Sequence, residues 1–221
     1  MGHFDSNFFH TNSHHILNEN YTYQTLESPC HSLYKEKGSK FFGYGFEVKS
    51  EEEVKQRLAQ VREKHSDARH HCYAYRLGIG TDERYRTNDD GEPTNSAGKP
   101  IYGQLLSAEV TNVLVVVVRY FGGVKLGVGG LISAYKITTK QTLDSTKIVT
   151  KEELHYYQVR FEYPQMSEVM NFVKMNRLDV VNQLFEVSCT LDFSCSIPSA
   201  SSLVVQLEEI ENVTVHFLKK C

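Results

Sequence analysis

Two stretches carry residue types that can do chemistry. Between Asn88 and Pro100, three carboxylates (Asp89, Asp90 and Glu92) stand within four positions of a run that is turn chemistry throughout. Further on, five of the 14 glycines (Gly122, Gly123, Gly127, Gly129 and Gly130) fall between Phe121 and Leu131, directly after Arg119 and Tyr120 and around Lys125. Carboxylates this close repel unless hydrogen bonds, a cation or a metal ion compensates them. Solvation is the ordinary state of such a loop. A magnesium site, or a pairing with Arg119 and Lys125, is the sharper alternative, and Glu92 or Asp90 is expected to face that basic pair across one polar cleft.

Glycine lacks the Cβ that blocks close approach, so a dense glycine loop can lie against a partner. Where a helix follows, the free N–H groups of its first turn and the positive end of its dipole suit a phosphate or carboxylate. At least two N–H groups among Val128 to Leu131 are therefore expected to face an open cleft, with Lys125 adding charge. A tight loop folded against the sheet is the competing explanation. The string fits neither the P-loop nor the dinucleotide fingerprint, because Ile132 stands at the third glycine position.

A third candidate is His71, within Arg69-His70-His71-Cys72-Tyr73-Ala74-Tyr75-Arg76-Leu77. A zinc site built from His70, His71 and Cys72 is weak, since consecutive strand residues point to opposite faces and no second ligand pair follows. A core or hydrogen-bonded histidine fits better. No metal ligand set is assigned, and no cofactor is expected.

The elements that must position these residues are legible from periodicity. Val113 to Val118 is a buried strand that ends in Arg119, Tyr120 and Phe121, and Leu131, Ala134 and Tyr135 repeat at helical spacing, so a helix is expected from near Gly130 to about Leu143. Phe42, Tyr44, Phe46 and Val48 alternate as a half-buried strand. Ser50 and Glu53 form a capping box for a helix whose Val54, Leu58 and Val61 share one face, ending near Ser66 and Asp67. Arg69 to Leu77 is a further strand, and Pro100 to Ser107 a short helix or turn. Ser145 to Thr150 is taken as a connection.

After it the pattern changes. A strand over His155 to Tyr163, a helix after Pro164, strands near Asp179 to Phe185 and Val187 to Phe193, a helix after Pro198 and a last strand over Val213 to Leu218 give the order β-α-β-β-α-β. That order is ferredoxin-like, a four-stranded antiparallel sheet with two helices on one side. The expected organisation is α+β: a loose tail over residues 1–20, a first two-layer domain over 21–150, and a small ferredoxin-like domain over 151–221.

With 221 residues, 40% apolar and 23% charged, the composition is that of a soluble globular protein. A net charge of −3 gives no bulk attraction to nucleic acid, so any such contact must rest on a local patch. No apolar run approaches the roughly 20 residues a membrane helix needs. Five cysteines at irregular spacing suit reduced thiols, and Met1 to Asn20 lacks the basic segment and apolar core of a signal peptide. A cytoplasmic protein is expected. The histidines of the tail (His3, His10, His14 and His15) are read as part of a loose segment.

Taken together, Ala68 to Arg76, Asp89-Asp90-Gly91-Glu92-Pro93, Ala97-Gly98-Lys99-Pro100 and the run from Arg119 to Leu131 resemble the IMPACT/YigZ family, bacterial branch. The agreement covers roughly Ser39 to Leu143. The resemblance implies a first domain like the second domain of a small-subunit ribosomal protein, a fold shared with small-molecule kinases and elongation factor G. The second domain would be similar to that factor's carboxy-terminal domain. The implied role is a link to translation, since eukaryotic relatives regulate a stress-responsive translation kinase by competing for its activator. The sequence departs from the family pattern at Ser133, where bacterial relatives commonly carry Arg, and at Asn95-Ser96, where Gly-Thr is usual.

Two functions follow as expectations. The first is a non-catalytic binding module linked to translation or its regulation, contacting RNA or a ribosome-associated protein through the cleft of Arg119, Tyr120, Gly122, Gly123, Lys125, Gly127, Gly129 and Gly130. A phosphate-like anion would sit at the glycine loop. The second is an enzyme acting on a phosphorylated small molecule or nucleotide, with a metal held by Asp89, Asp90 and Glu92. Cations with exposed aromatics around the glycine loop favour RNA, and a deep pocket lined by the acidic loop favours the enzyme. Nothing in the sequence sets the oligomeric state.

Overall fold

The structure is a computed structural model that describes residues 21–220; the histidine-rich tail and Cys221 lie outside the described residues. The central strand is β6 (Val113–Tyr120), and its alternation decides the architecture. Val113, Val115 and Val117 enter one apolar cluster while Leu114, Val116 and Val118 enter another, all fully buried. A strand apolar on both sides needs cover on both sides. It is supplied by α2 (Gly98–Ser107) and α3 (Gly127–Asp144) on one face and α1 (Glu51–Lys64) on the other.

The sheet between them is antiparallel, in the order β2 (Cys30–Glu36), β3 (Ser39–Glu47), β6, β4 (His70–Leu77), β5 (Arg84–Asn88). The class is α+β as expected. The first domain nevertheless has three layers where two were expected, because both faces of β6 are hydrophobic. Ser145 to Thr150 is not a bare connection either: β7 (Ile148–Glu152) pairs antiparallel with β1 (Thr22–Leu26). Leu26 and Thr25 are fully buried there, so this ribbon belongs to the first core.

The capping box forms with one change. Ser50 Oγ accepts from the Glu53 N–H at 3.2 Å, while the Glu53 carboxylate accepts from the N–H of Lys49 rather than of Ser50, at 3.0 Å. The later part of the chain comprises β8 (Leu154–Glu162), α4 (Met166–Met175), β9 (Asp179–Phe185), β10 (Ser188–Ser196), α5 (Ile197–Glu208) and β11 (Thr214–Lys220). Its sheet order, β11-β8-β10-β9, is the ferredoxin-like arrangement. A cluster including Val159, Phe161, Val169, Leu191, Phe193, Leu203 and Leu207 is built from this part alone.

Candidate functional site

The site lies at one end of the five-stranded sheet. Register puts His70 opposite Arg119 and Lys40 opposite Tyr120, so the start of β4, the start of β3 and the finish of β6 share that end with the acidic loop and the glycine loop.

The three carboxylates of the acidic loop go to three different partners. Asp89 Oδ1 accepts from the N–H groups of Ala97 and Gly98 at 2.9 and 2.8 Å, and its Oδ2 from Asn95 at 2.8 Å. It caps α2, whose own N-cap residue Ala97 has no side-chain acceptor. Asp90 turns to the α1 face: its Oδ2 accepts from the His71 N–H at 2.6 Å, and Arg62 stands 3.7 Å from its Oδ1. Glu92 goes inward. Its carboxylate accepts from Arg119 Nη1 at 2.7 and 3.0 Å and from the Tyr135 hydroxyl at 2.9 Å. Repulsion is thus compensated group by group, and the loop is not a solvated turn.

Arg119 does face Glu92, as expected, but inside the protein. Arg119 is 6% and Glu92 9% exposed, and the guanidinium lies 5.6 Å from the ring centres of both Phe41 and Phe121. The pair is buried rather than set in an open polar cleft, yet Arg119 Nε has no hydrogen-bond partner among the described residues and Arg119 also lines the hollow beside Phe121. Lys125 is not part of the pair: it is exposed, and none of the ion pairs among the described residues includes it. Behind the pair, the Cys72 thiol lies 2.9 Å from the Asp89 carbonyl and 3.2 Å from the Tyr135 hydroxyl. Burial pushes both the Cys72 thiol and the Tyr135 phenol up from their usual ranges, so both stay protonated.

His71 is a buried, hydrogen-bonded histidine. Its Nε2 donates to the His65 carbonyl at 3.2 Å, leaving Nδ1 unprotonated 3.7 Å from Asp90 Oδ2. Burial lowers its pKa, outweighing the nearby Asp90 carboxylate. His65 is likewise lowered by burial, with the Tyr44 and Tyr120 hydroxyls at 2.7 and 3.0 Å on its two ring nitrogens. Tyr120 is therefore partly committed to the α1 side.

The glycines divide into two kinds. A Cβ on Gly122 would fall 1.8 Å from the Gly38 carbonyl carbon, so this residue is glycine because the loop lies against the turn between β2 and β3. Around Gly123, Gly127 and Gly129 a Cβ would meet nothing within 4 Å, and α3 starts at Gly127 with no side-chain cap. Beside this open stretch, Phe121 is 59% exposed, and Val124 and Val128 are exposed too. A hollow of about 390 Å³ lies next to Phe121, lined also by Asp67, Ala68, Arg69, His70, Arg119 and Tyr120. Arg69, Lys37 and Lys40, exposed at the same end, were not singled out in the sequence. Their signal was topological: only the register brings them beside the glycine loop.

A helical α+β domain with these loops at one sheet end, followed by a ferredoxin-like unit, defines a class also found by comparison. Residues 37–143 match the Impact N-terminal domain. The chain belongs to the IMPACT family. An IMPACT family member of Haemophilus influenzae is 32% identical over 187 residues, 79% of this chain and 91% of that one. The family member YigZ of Escherichia coli is 40% identical over 119 residues, 53% of this chain and 58% of the relative. The crystal structure of a hypothetical protein matches with a TM-score of 0.70 at 27% identity, covering 90% of this chain and 98% of that chain. No helix among the described residues is long and apolar enough to cross a membrane.

Proposed function

We propose that this chain is a non-catalytic binding module of the cytoplasm, linked to translation or its regulation, that contacts RNA or a ribosome-associated protein through the glycine-loop end of the first sheet. The observation that carries the proposal is the surface itself: exposed Phe121 stands among Lys37, Lys40, Arg69 and Lys125, none of which joins an ion pair among the described residues. Unpaired cations can displace counterions from phosphates, and an exposed ring offers a face to a base. Of the two partners, RNA is favoured by this combination.

The enzyme reading is supported less well, because the carboxylates it needs are already committed to Arg119, to the first turn of α2 and to the start of β4. The test is recovery of bound material from cells, comparing wild type with an Arg69→Ala/Lys125→Ala variant. Arg119 is left intact, since removing it would strand Glu92. Loss of an RNA or ribosome signal in the variant is the expected result, and unchanged recovery sinks the proposal.

A further inference from the structure

The β5 edge of the first sheet presents features that the glycine-loop end does not use. β5 lies outermost, so one side of its backbone has no neighbouring strand. Its sequence is Arg84-Tyr85-Arg86-Thr87-Asn88, and the first three residues are exposed. An exposed edge invites either another strand or a polar chain, and two arginines on it disfavour strand addition.

Register fixes where the side chains go. Tyr85 pairs with Arg76 and so shares the α2 face, whereas Arg84 and Arg86 pair with Leu77 and Tyr75 and flank the edge from the α1 face. On the α2 side Tyr85, 59% exposed, stacks on Tyr102 with ring centres 4.3 Å apart and planes 16° from parallel. The stack holds the Tyr85 ring as a flat exposed platform. Lys99, exposed on the first turn of α2, adds a cation on that side. None of Arg84, Arg86 and Lys99 joins an ion pair among the described residues, while the acid nearest on the α2 face, Glu83, is bound by Arg76 at 2.7 Å. On the α1 face Glu51 lies near Tyr75, as Arg86 does, and so offsets part of that charge.

We infer that this edge is a second nucleic-acid surface, on which single-stranded RNA lays a base on Tyr85 and its phosphates along Arg84 and Arg86. The inference deepens the proposed function and rests on it for the class of ligand. β5 ends beside the acidic loop, since Asn88 directly precedes Asp89, while Tyr85 pairs with Arg76, roughly 20 Å along β4 from His70 at the glycine-loop end, so an RNA strand touching both surfaces runs up the edge from one to the other. Stacking on an aromatic ring tolerates any base, and the arginines hold phosphates without reading sequence. Binding along this edge is therefore sequence-independent and falls with salt.

The experiment is fluorescence anisotropy with a labelled oligouridylate on the full chain, across a series of salt concentrations. Tyr85→Ala is expected to weaken binding about tenfold and Tyr85→Phe to preserve it, because the ring and not the hydroxyl does the stacking. Arg84→Gln/Arg86→Gln is expected to flatten the slope of log K against log salt by about 1.4, the share of two single-strand phosphate contacts. Wild-type affinity and slope in the β5 variants, with loss on Arg69→Ala/Lys125→Ala, would overturn the second surface and leave the proposed function standing. Loss in the β5 variants alone would do the reverse. Equal competition by polyglutamate would show an acidic protein as the occupant and overturn the RNA assignment.

Discussion

At the scale of single residues, Arg119 shows how far a charge in a sequence motif can differ in role from its neighbours. Replacing it with Ala leaves the Glu92 carboxylate buried beside Tyr135, and losing one partner of a buried pair costs about 3–5 kcal/mol. Lys125→Ala removes an exposed, unpaired cation and is expected to stay within about 0.5 kcal/mol of wild type. Urea unfolding of the two variants checks the contrast; equal midpoints would mean that the buried pair stabilises nothing. The glycines give a parallel contrast. Gly122→Ala drives a methyl into backbone at 1.8 Å and is expected to cost about 1–3 kcal/mol, whereas Gly129→Ala meets open space in a helix and should gain up to about 1 kcal/mol. Thermal midpoints moving in opposite directions are the expected reading. The histidines add a pH dependence. His65 and His71 are held below their ordinary value of 6.5, chiefly by burial, so the unfolded chain takes up protons before the folded one. Their contribution is complete above about pH 6.5 and is lost as the pH falls through the folded-state values. Urea midpoints should therefore drop between pH 7 and 5, and drop less steeply in His71→Gln; an identical slope in the variant would remove His71 from the account.

At the scale of elements, what could be read depended on whether a pattern was local. The valine strand, the capped α1 and the β-α-β-β-α-β series each announce themselves within a few residues, through alternation, a cap or helical spacing. The β1–β7 ribbon does not, because Thr22–Leu26 and Ile148–Glu152 are short, polar on one side and joined only by a pairing across the whole first domain. Neither does the third layer, which depends on noticing that every residue of Val113–Val118 is apolar and that both faces therefore need helices. At the candidate site, residue types foretold one contact: Glu92 and Arg119 do meet, and there is open space around Gly123, Gly127 and Gly129. Burial was not legible, because a charged residue's depth is set by partners far away in sequence, here Tyr135 and Phe41. The ribbon supplies its own test. Leu26 is fully buried in the first core, so Leu26→Ala should cost about 2–5 kcal/mol although it lies in a segment that the sequence leaves unremarked. A loss under about 1 kcal/mol would show the ribbon to be peripheral.

At the scale of the whole molecule, the two parts are proposed to be separate domains that meet close to the expected boundary between residues 150 and 151. β7 stays paired with β1 through Glu152 and β8 begins at Leu154, so the proposed joint falls at Glu153. The apolar clusters on either side share no residue, and between the parts lies a cleft of about 1000 Å³ lined by Tyr23, Arg76, Glu109, Glu153, His155 and Lys220 among others. Lys220 pairs with Asp82 across it, an exposed contact of a kind worth up to about 1 kcal/mol. So small a coupling cannot make two cores unfold as one, since domains with their own cores depart from two-state behaviour. Calorimetry of the intact chain is expected to show two transitions. Leu207, fully buried in the second cluster, identifies them: Leu207→Ala should lower one transition by the several degrees that a loss of about 2–5 kcal/mol implies and leave the other in place. Leu26→Ala should do the converse. A single transition that shifts as a whole in both variants would mean one cooperative unit, and the cleft would then be a groove within a domain rather than a boundary between two.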